Sequence, residues 1–203
     1  MSDINVRLGT TSYILADEIL PNVRYLKDKV DDIELVLFES EQLSNLPDRK
    51  TVRELASLAL EADLSYTVHF PLDIHPGSAS EKERATFVDT VCRIIDLSYD
   101  LDPFGYVLHL TPELYGPTPA KDVGAWIGNL DASLELLSRR TQIQSSMFCV
   151  ETLSYPFSLV QKLVERYDFS VTLDIGHIWL MGYDAKESMR SLFDRTRICH
   201  LHG

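Results

Sequence analysis

The sequence predicts a parallel α/β fold and, within that class, a (β/α)8 barrel. Short apolar runs alternate with longer amphipathic runs along the chain, which is the pattern of strands joined by right-handed helical crossovers. No Gly-rich phosphate loop follows any of these strands, although an open nucleotide-binding sheet would carry one. Polar residues end one predicted strand after another, and the carboxyl ends of barrel strands converge on one mouth.

Each element follows from its own stretch of sequence. The runs that predict strands are NVRLGTTSYI, DIELVLFE, LSYTVHF, FGYVLHL, SSMFCVE, FSVTLD and TRICHLHG. The runs between them that predict helices are PNVRYLKDKV, DRKTVRELASLALEA, SEKERATFVDTVCRIIDLSYDL, AKDVGAWIGNLDASLELLSRR, PFSLVQKLVERYD and a region that ends near Asp194. Asp48 precedes the second helix and is a plausible N-cap.

The organisation predicted is one domain over residues 1–203, because no linker or low-complexity tract interrupts the alternation. A closed barrel needs eight units, and the seventh strand runs up to Gly203. We therefore expect the eighth unit to be missing and the chain to be truncated at its C-terminus. Strands one and seven would then be open edges, which favours self-association.

Charge and hydropathy exclude several classes of function. The 31 acidic residues outnumber the 19 basic ones and give a net charge of −12, which argues against a nucleic-acid substrate. No apolar run approaches the roughly 20 residues of a membrane helix, and no signal peptide begins the chain. The sequence therefore predicts a cytoplasmic enzyme without a membrane partner.

The residues at the strand ends are candidates for a metal site. A lone histidine there is usually a hydrogen-bonded loop residue, and a lone carboxylate, as at Glu39 or Asp174, often caps the next helix. A succession of such ends favours metal binding instead, and nitrogen and carboxylate ligands without many thiolates suit zinc, manganese or iron. The residues concerned are Glu39, His69, His109, Glu151, Asp174, His200 and His202.

These residues, together with the motifs LGTTSYI, DIGH and HLHG, give the chain a resemblance to a known family. It resembles the xylose-isomerase-like TIM barrel superfamily, which includes endonuclease IV and sugar isomerases and epimerases. Within it the chain is most similar to the cobamide-remodelling phosphodiesterases. The resemblance implies a ligand set of His69, His109, Glu151, Asp174, His177 and His200. The family also uses an Asp-x-His pair and a Glu that would lie beyond Gly203.

The activity implied by this resemblance is hydrolysis of a small-molecule phosphodiester, for example the nucleotide loop of a cobamide. Two or more divalent metal ions would be bridged by Glu151 as the catalytic residue, and a metal-bridged hydroxide would attack the phosphorus. Glu39 and His202 are the expected substrate contacts.

Other functions stay open at the level of sequence. A single-metal isomerase or epimerase of a sugar or sugar phosphate would use Glu151, Asp174 and His200. His69 and His109 would then contact the substrate. An abasic-site endonuclease is disfavoured by the acidic balance, and a non-catalytic binding barrel is the third class.

Overall fold

The structure is a computed structural model that describes residues 6–39 and 44–201. Strands and helices alternate along the described chain, as the sequence predicts. The strands are β1 (Gly9–Thr11), β2 (Asp32–Val36), β3 (Ser65–His69), β4 (Gly105–Leu108), β5 (Phe148–Glu151), β6 (Ser170–Asp174) and β7 (Thr196–His200). The helices are α1 (Ile19–Leu26), α2 (Arg49–Ala62), α3 (Glu81–Ser98), α4 (Val123–Arg140), α5 (Gln161–Arg166), α6 (Ile175–Leu180) and α7 (Ala185–Leu192).

The strands follow one another in the sheet in chain order, from β1 to β7. The pairs β1–β2, β2–β3, β5–β6 and β6–β7 are parallel. This order is what short right-handed crossovers produce, so the predicted α/β fold with seven strands is confirmed. Among the described residues, no helix is both long enough and apolar enough to cross a membrane.

Contacts between Cα atoms divide the chain into two compact units. The first unit contains Met1–Pro71 and Ile94–Tyr106, and the second contains Leu72–Arg93 and Val107–Gly203. The organisation as one domain over residues 1–203 stays a prediction.

The first unit has a core of alternating strand residues. Ile33 and Leu35 of β2 and Val68 of β3 are almost fully buried, because side chains two positions apart share one face of a strand. Asp48 is the N-cap of α2, as predicted, and its carboxylate accepts a hydrogen bond from the backbone N–H of Thr51.

The second unit is centred on β5 and β6. All four residues of β5 are buried, as are the last four of β6, as expected for parallel strands covered on both faces. The indole of Trp126 on α4 is fully buried and lies edge-on to Tyr155, with ring centroids 5.2 Å apart. A β-carbon at Gly77 would lie 2.2 Å from the Trp126 Nε1 atom, so only glycine allows this close approach.

Two predicted elements differ from the structure for identifiable reasons. The first strand covers only Gly9–Thr11 of the run NVRLGTTSYI, and directly after that run the amide of Asn22 bonds both the N–H and the C=O of Leu15 and fixes the loop that leads into α1. The helical region before Asp194 is two helices, because Gly182 has φ of +72° and interrupts it.

The carboxyl group of Asp32 generates a stability prediction. Burial raises the pKa of Asp32, although the Ser65 hydroxyl donates a hydrogen bond to it at 2.6 Å. A raised folded-state pKa means that the stabilising contribution is present below the unfolded pKa and is lost as the pH rises through the folded one. We expect Asp32→Asn to raise the melting temperature relative to the wild type at pH 7 and to have little effect near pH 4.

Thermal unfolding at both pH values measures this difference. Asp73→Asn, at an exposed position, is the matched control and should not change the melting temperature at either pH. An equal effect of Asp32→Asn at both pH values would contradict the assignment.

Candidate metal centre

Three ligand-type side chains meet at the carboxyl ends of β5, β6 and β7. Glu151 and Asp174 are the last residues of β5 and β6, and His200 is the last residue of β7. Both residues are only 2% exposed. Buried carboxylates are expensive unless paired or bound to a metal, so the surroundings of these two groups decide what the cluster is for.

A register shift aligns two of these side chains. Val171 pairs with Thr196, but the next pair is Thr172 with Ile198, so β7 carries one extra residue at this point. The shift continues to the strand ends, where Asp174 pairs with His200. Without it the partner of Asp174 would be Cys199, whose side chain is on the opposite face of the strand.

Asp174 uses its two oxygens differently. Its Oδ1 accepts a hydrogen bond of 2.7 Å from the backbone N–H of His177, which makes Asp174 the N-cap of α6. Its Oδ2 lies 3.7 Å from the Nδ1 of His200. Asp174 is therefore a helix cap, which was one of the two roles that the sequence allowed. The cap uses only one oxygen, and the other oxygen faces the cluster.

The donor set fits one divalent metal ion. One ligand atom from each of Glu151, Asp174 and His200 lies within 4.8 Å of the others, and the Nδ1 of His200 is 3.5 Å from the Oε1 of Glu151. Two atoms that both ligate a tetrahedral zinc ion at about 2.0–2.2 Å lie about 3.4 Å apart. These residues can hold an ion, whereas its identity and the number of ions stay predictions.

His109 faces the other oxygen of Glu151. Its Nε2 lies 2.8 Å from the Oε2 of Glu151, which is the length of a hydrogen bond. The two oxygens of this carboxylate therefore have different neighbours. Oε1 lies near His200, and Oε2 shares a proton with His109.

His177 is fixed by a backbone carbonyl. Its Nδ1–H donates to the carbonyl oxygen of Thr152 at 2.9 Å, because a carbonyl can only accept. The same nitrogen lies 3.6 Å from the Oε1 of Glu151. The proton on Nδ1 leaves Nε2 as the nitrogen that can accept or ligate, so its role as a metal ligand stays a prediction.

Three predicted site residues remain. His69 belongs to the first unit, where it ends β3, is 7% exposed and donates from Nδ1 to the carbonyl of Phe70 at 2.7 Å. Glu39 also belongs to the first unit and forms a β-bridge with Ser44; it is not the cap of α2, which is Asp48. His202 lies outside the described residues. The predicted roles of all three stay predictions.

Residues just after Glu151 make hydrogen bonds to the segments around the cluster, and the sequence analysis did not identify them. The Thr152 hydroxyl accepts from the N–H of Asp174 at 2.9 Å. Ser154 accepts hydrogen bonds from the N–H of Gly116 and the hydroxyl of Tyr183. The buried Tyr155 hydroxyl donates to the carbonyl of Leu110, next to His109, at 2.8 Å. The polar stretch TLSY directly after a buried strand was the available signal.

Parallel strands whose ends gather two carboxylates and imidazoles define an α/β protein with a metal-capable centre. The chain belongs to the xylose isomerase-like TIM barrel family, whose model matches residues 26–203. The resemblance to that superfamily is therefore confirmed. No curated protein matches the sequence.

Solved structures share the fold at low sequence identity. A D-tagatose 3-epimerase-like protein has a TM-score of 0.75 at 21% identity, over 98% of this chain and 76% of that one. A 3-keto-D-glucoside 4-epimerase from E. coli matches with a TM-score of 0.74 at 16% sequence identity, over 98% of this chain and 80% of that one. An L-ribulose 3-epimerase matches with a TM-score of 0.73 at 15% sequence identity, over 95% of this chain and 68% of that one.

The predicted hydrolysis of a phosphodiester is wrong, because the solved structures that match this chain at TM-scores of 0.73 to 0.75 are those of sugar epimerases. Nothing in the comparisons indicates a cobamide-remodelling phosphodiesterase. The Asp-x-x-His spacing has a local structural cause, since Asp174 caps the helix turn that carries His177. It therefore does not by itself require a second metal ion.

The two roles of Asp174 can be separated by substitution. Asn can cap a helix as well as Asp does, but it lacks the charge of a carboxylate ligand. We expect Asp174→Asn to keep the stability of the metal-free protein and to weaken divalent-metal affinity by about 100-fold or more, since even second-layer partners of a ligand contribute about 10–100-fold. Asp174→Ala should also lose about 1 kcal/mol of stability with its cap.

Calorimetric metal titration and thermal unfolding test this separation. Asp122→Asn is the matched control, because Asp122 caps α4 through the N–H of Ala125 and is not in the cluster. Unchanged metal affinity in Asp174→Asn would exclude Asp174 as a ligand.

Removal of the Tyr155 hydroxyl tests the hydrogen bond that joins the segments after β4 and β5. Tyr155→Phe leaves the carbonyl of Leu110 buried without that donor, so we expect a loss of about 1–3 kcal/mol in the free energy of unfolding. Urea denaturation measures the loss. Tyr99→Phe, at an exposed position, should be neutral, and a loss of equal size there would show that the buried hydrogen bond is not the cause.

Proposed function

We propose that the protein is a metal-dependent isomerase or epimerase of a small sugar. The observation that carries the proposal is the convergence of ligand atoms from Glu151, Asp174 and His200 within 4.8 Å of one another. Structures of sugar epimerases share the fold over more than nine-tenths of this chain, which supports the same class of reaction. Because their sequence identity to this chain is low, these structures do not support the choice of a particular sugar.

The metal would be held by Glu151, Asp174 and His200. A divalent ion bound there supplies Lewis acidity, which polarises the sugar carbonyl and stabilises negative charge on its oxygen. The acidity of the C–H bond next to that carbonyl rises as a consequence. The chain must then provide a base for that proton.

Glu151 is the residue best placed to act as the base. Its Oε1 faces His200 and would be the ligand oxygen, whereas its Oε2 faces His109 and would be the oxygen that takes the proton. The carboxyl group is almost fully buried, which excludes water from competing for the same proton. With a proton on Nε2, His109 donates to Oε2 and holds the carboxylate in one orientation.

His109 also gives the abstracted proton a route to solvent. Its side chain is 14% exposed, while that of Glu151 is 3% exposed. Return of the proton to the neighbouring carbon gives isomerisation. Return to the opposite face of the same carbon gives epimerisation, which requires a second acid.

Proton exchange measures this chemistry directly. In D2O, the protein loaded with Mn²⁺ should introduce deuterium at the carbon next to the carbonyl of a ketose, as followed by proton NMR. We expect Glu151→Gln, which keeps the shape and loses the base, to lower the exchange rate by about 100- to 10,000-fold.

Glu135→Gln is the matched control, since Glu135 lies on α4 in an ion pair with Arg139 and should leave the rate unchanged. The absence of exchange on every aldose and ketose tried with a metal-loaded protein would overturn the proposal. Full exchange in Glu151→Gln would instead show that another group is the base.

A further inference from the structure

Thr152 is the first residue after β5, and its side chain replaces one backbone bond of the ladder between β5 and β6. The register pairs Glu151 with Thr172, so the next pair is Thr152 with Leu173. At such a position in a parallel ladder, the N–H donates to one neighbour of the partner residue and the C=O accepts from the other neighbour. Thr152 makes the first of these bonds, since its N–H donates to the carbonyl of Thr172 at 3.0 Å.

The second bond goes to the side chain of Thr152 and not to its carbonyl. The N–H of Asp174 donates to the Oγ1 of Thr152 at 2.9 Å, and the same hydroxyl donates to the carbonyl of Asp174 at 3.3 Å. Thr152 is 4% exposed and Asp174 is 2% exposed, so water does not compete for these groups. The hydroxyl therefore satisfies a buried N–H for which the carbonyl of Thr152 would be the regular acceptor.

The carbonyl of Thr152 instead holds the ring of His177. The Nδ1–H of His177 donates to it at 2.9 Å, which fixes the proton on Nδ1. The same nitrogen lies 3.6 Å from the Oε1 of Glu151 and 3.9 Å from the Oδ2 of Asp174, which is too far for a hydrogen bond. Those two oxygens are the ones that face His200 in the candidate metal centre. The carbonyl thus keeps the N–H of His177 off the oxygens that would bind the metal.

From this geometry we infer that Thr152 is a positioning residue of the metal centre and that it acts through its hydroxyl. Because the hydroxyl takes the N–H of Asp174, the carbonyl holds His177 in one tautomer and both carboxylate oxygens are left to the ion. The inference rests on the proposed function for the presence of a metal, but not for the reaction.

Packing is the simpler explanation of a buried threonine at this point. Packing needs only the shape of the side chain, which valine shares. The exchange of a backbone acceptor for a side-chain acceptor needs the hydroxyl, which serine shares. Substitution by valine and by serine therefore separates the two explanations.

Metal affinity is the first measurement. In Thr152→Val the N–H of Asp174 should turn to the backbone carbonyl of residue 152, because a buried N–H without an acceptor is costly. His177 then loses the group that fixes its tautomer, and either ring nitrogen can donate to the carboxylates. We expect the affinity for Mn²⁺, measured by calorimetry, to fall by about 10- to 100-fold, the usual effect of losing a partner that orients ligands. Thr152→Ser should keep the wild-type affinity.

The tautomer of His177 is the second measurement, and it needs neither metal nor turnover. Long-range proton–nitrogen correlation NMR on metal-free protein with isotope-labelled histidine distinguishes the two tautomers, and the signal absent from His177→Gln is that of His177. We expect the Nδ1–H tautomer in the wild type and in Thr152→Ser. In Thr152→Val this single tautomer should be lost.

Thr172→Val is the matched control. Thr172 is a fully buried threonine on β6, and its hydroxyl donates to the carbonyl of Cys149 at 3.4 Å, so the same substitution removes a similar bond between the same strands. It should change neither the metal affinity nor the tautomer. If Thr152→Val does not fold, Thr152→Ala removes the same hydroxyl and takes its place.

Several results would overturn the inference. These are a proton on Nε2 of His177 in the wild type, an unchanged tautomer or metal affinity in Thr152→Val, an equal loss in Thr172→Val, and a failure of Thr152→Ser to keep the wild-type values. The expected tautomers and affinities without any deuterium exchange on sugars would support the role of Thr152 and refute the proposed function.

Discussion

The constraint on which the rest of the centre depends is the burial of two carboxylates side by side. Glu151 and Asp174 end neighbouring parallel strands, so the sheet itself brings their charges together. Such a pair is costly in a low-dielectric interior unless protons, imidazoles or a cation compensate it. Three imidazoles lie within 4 Å of Glu151, and this arrangement is compatible with metal binding.

The two oxygens of each carboxylate have different neighbours. In Asp174 one oxygen starts a helix and the other faces the cluster, so the start of α6 fixes the orientation of a ligand. In Glu151 one oxygen faces His200 and the other faces His109. Thr152, directly after β5, bonds the backbone of Asp174 and the ring of His177, so one residue positions groups of β6 and α6.

Much of the fold follows from sequence because its signals are local. Alternation of apolar runs predicts the strands, and Asp48 marks the start of α2. The extra residue between Thr196 and Ile198 has no such signal, since it depends on pairing with a distant strand. Residues at strand ends could be found as candidates, but which of them share a proton and which are spaced for a metal depends on tertiary packing.

The types of residue that could bind the metal do not determine which reaction the protein catalyses. Carboxylates and imidazoles bind the same divalent ions in hydrolases and in isomerases, so the residues of the cluster define a Lewis acid and not its substrate. The acidic balance of the chain disfavours polyanions, but it does not favour a small phosphodiester over a sugar. Substrate selection needs groups beyond the metal. The choice between the two substrates therefore depends on groups that the types of metal ligand do not identify.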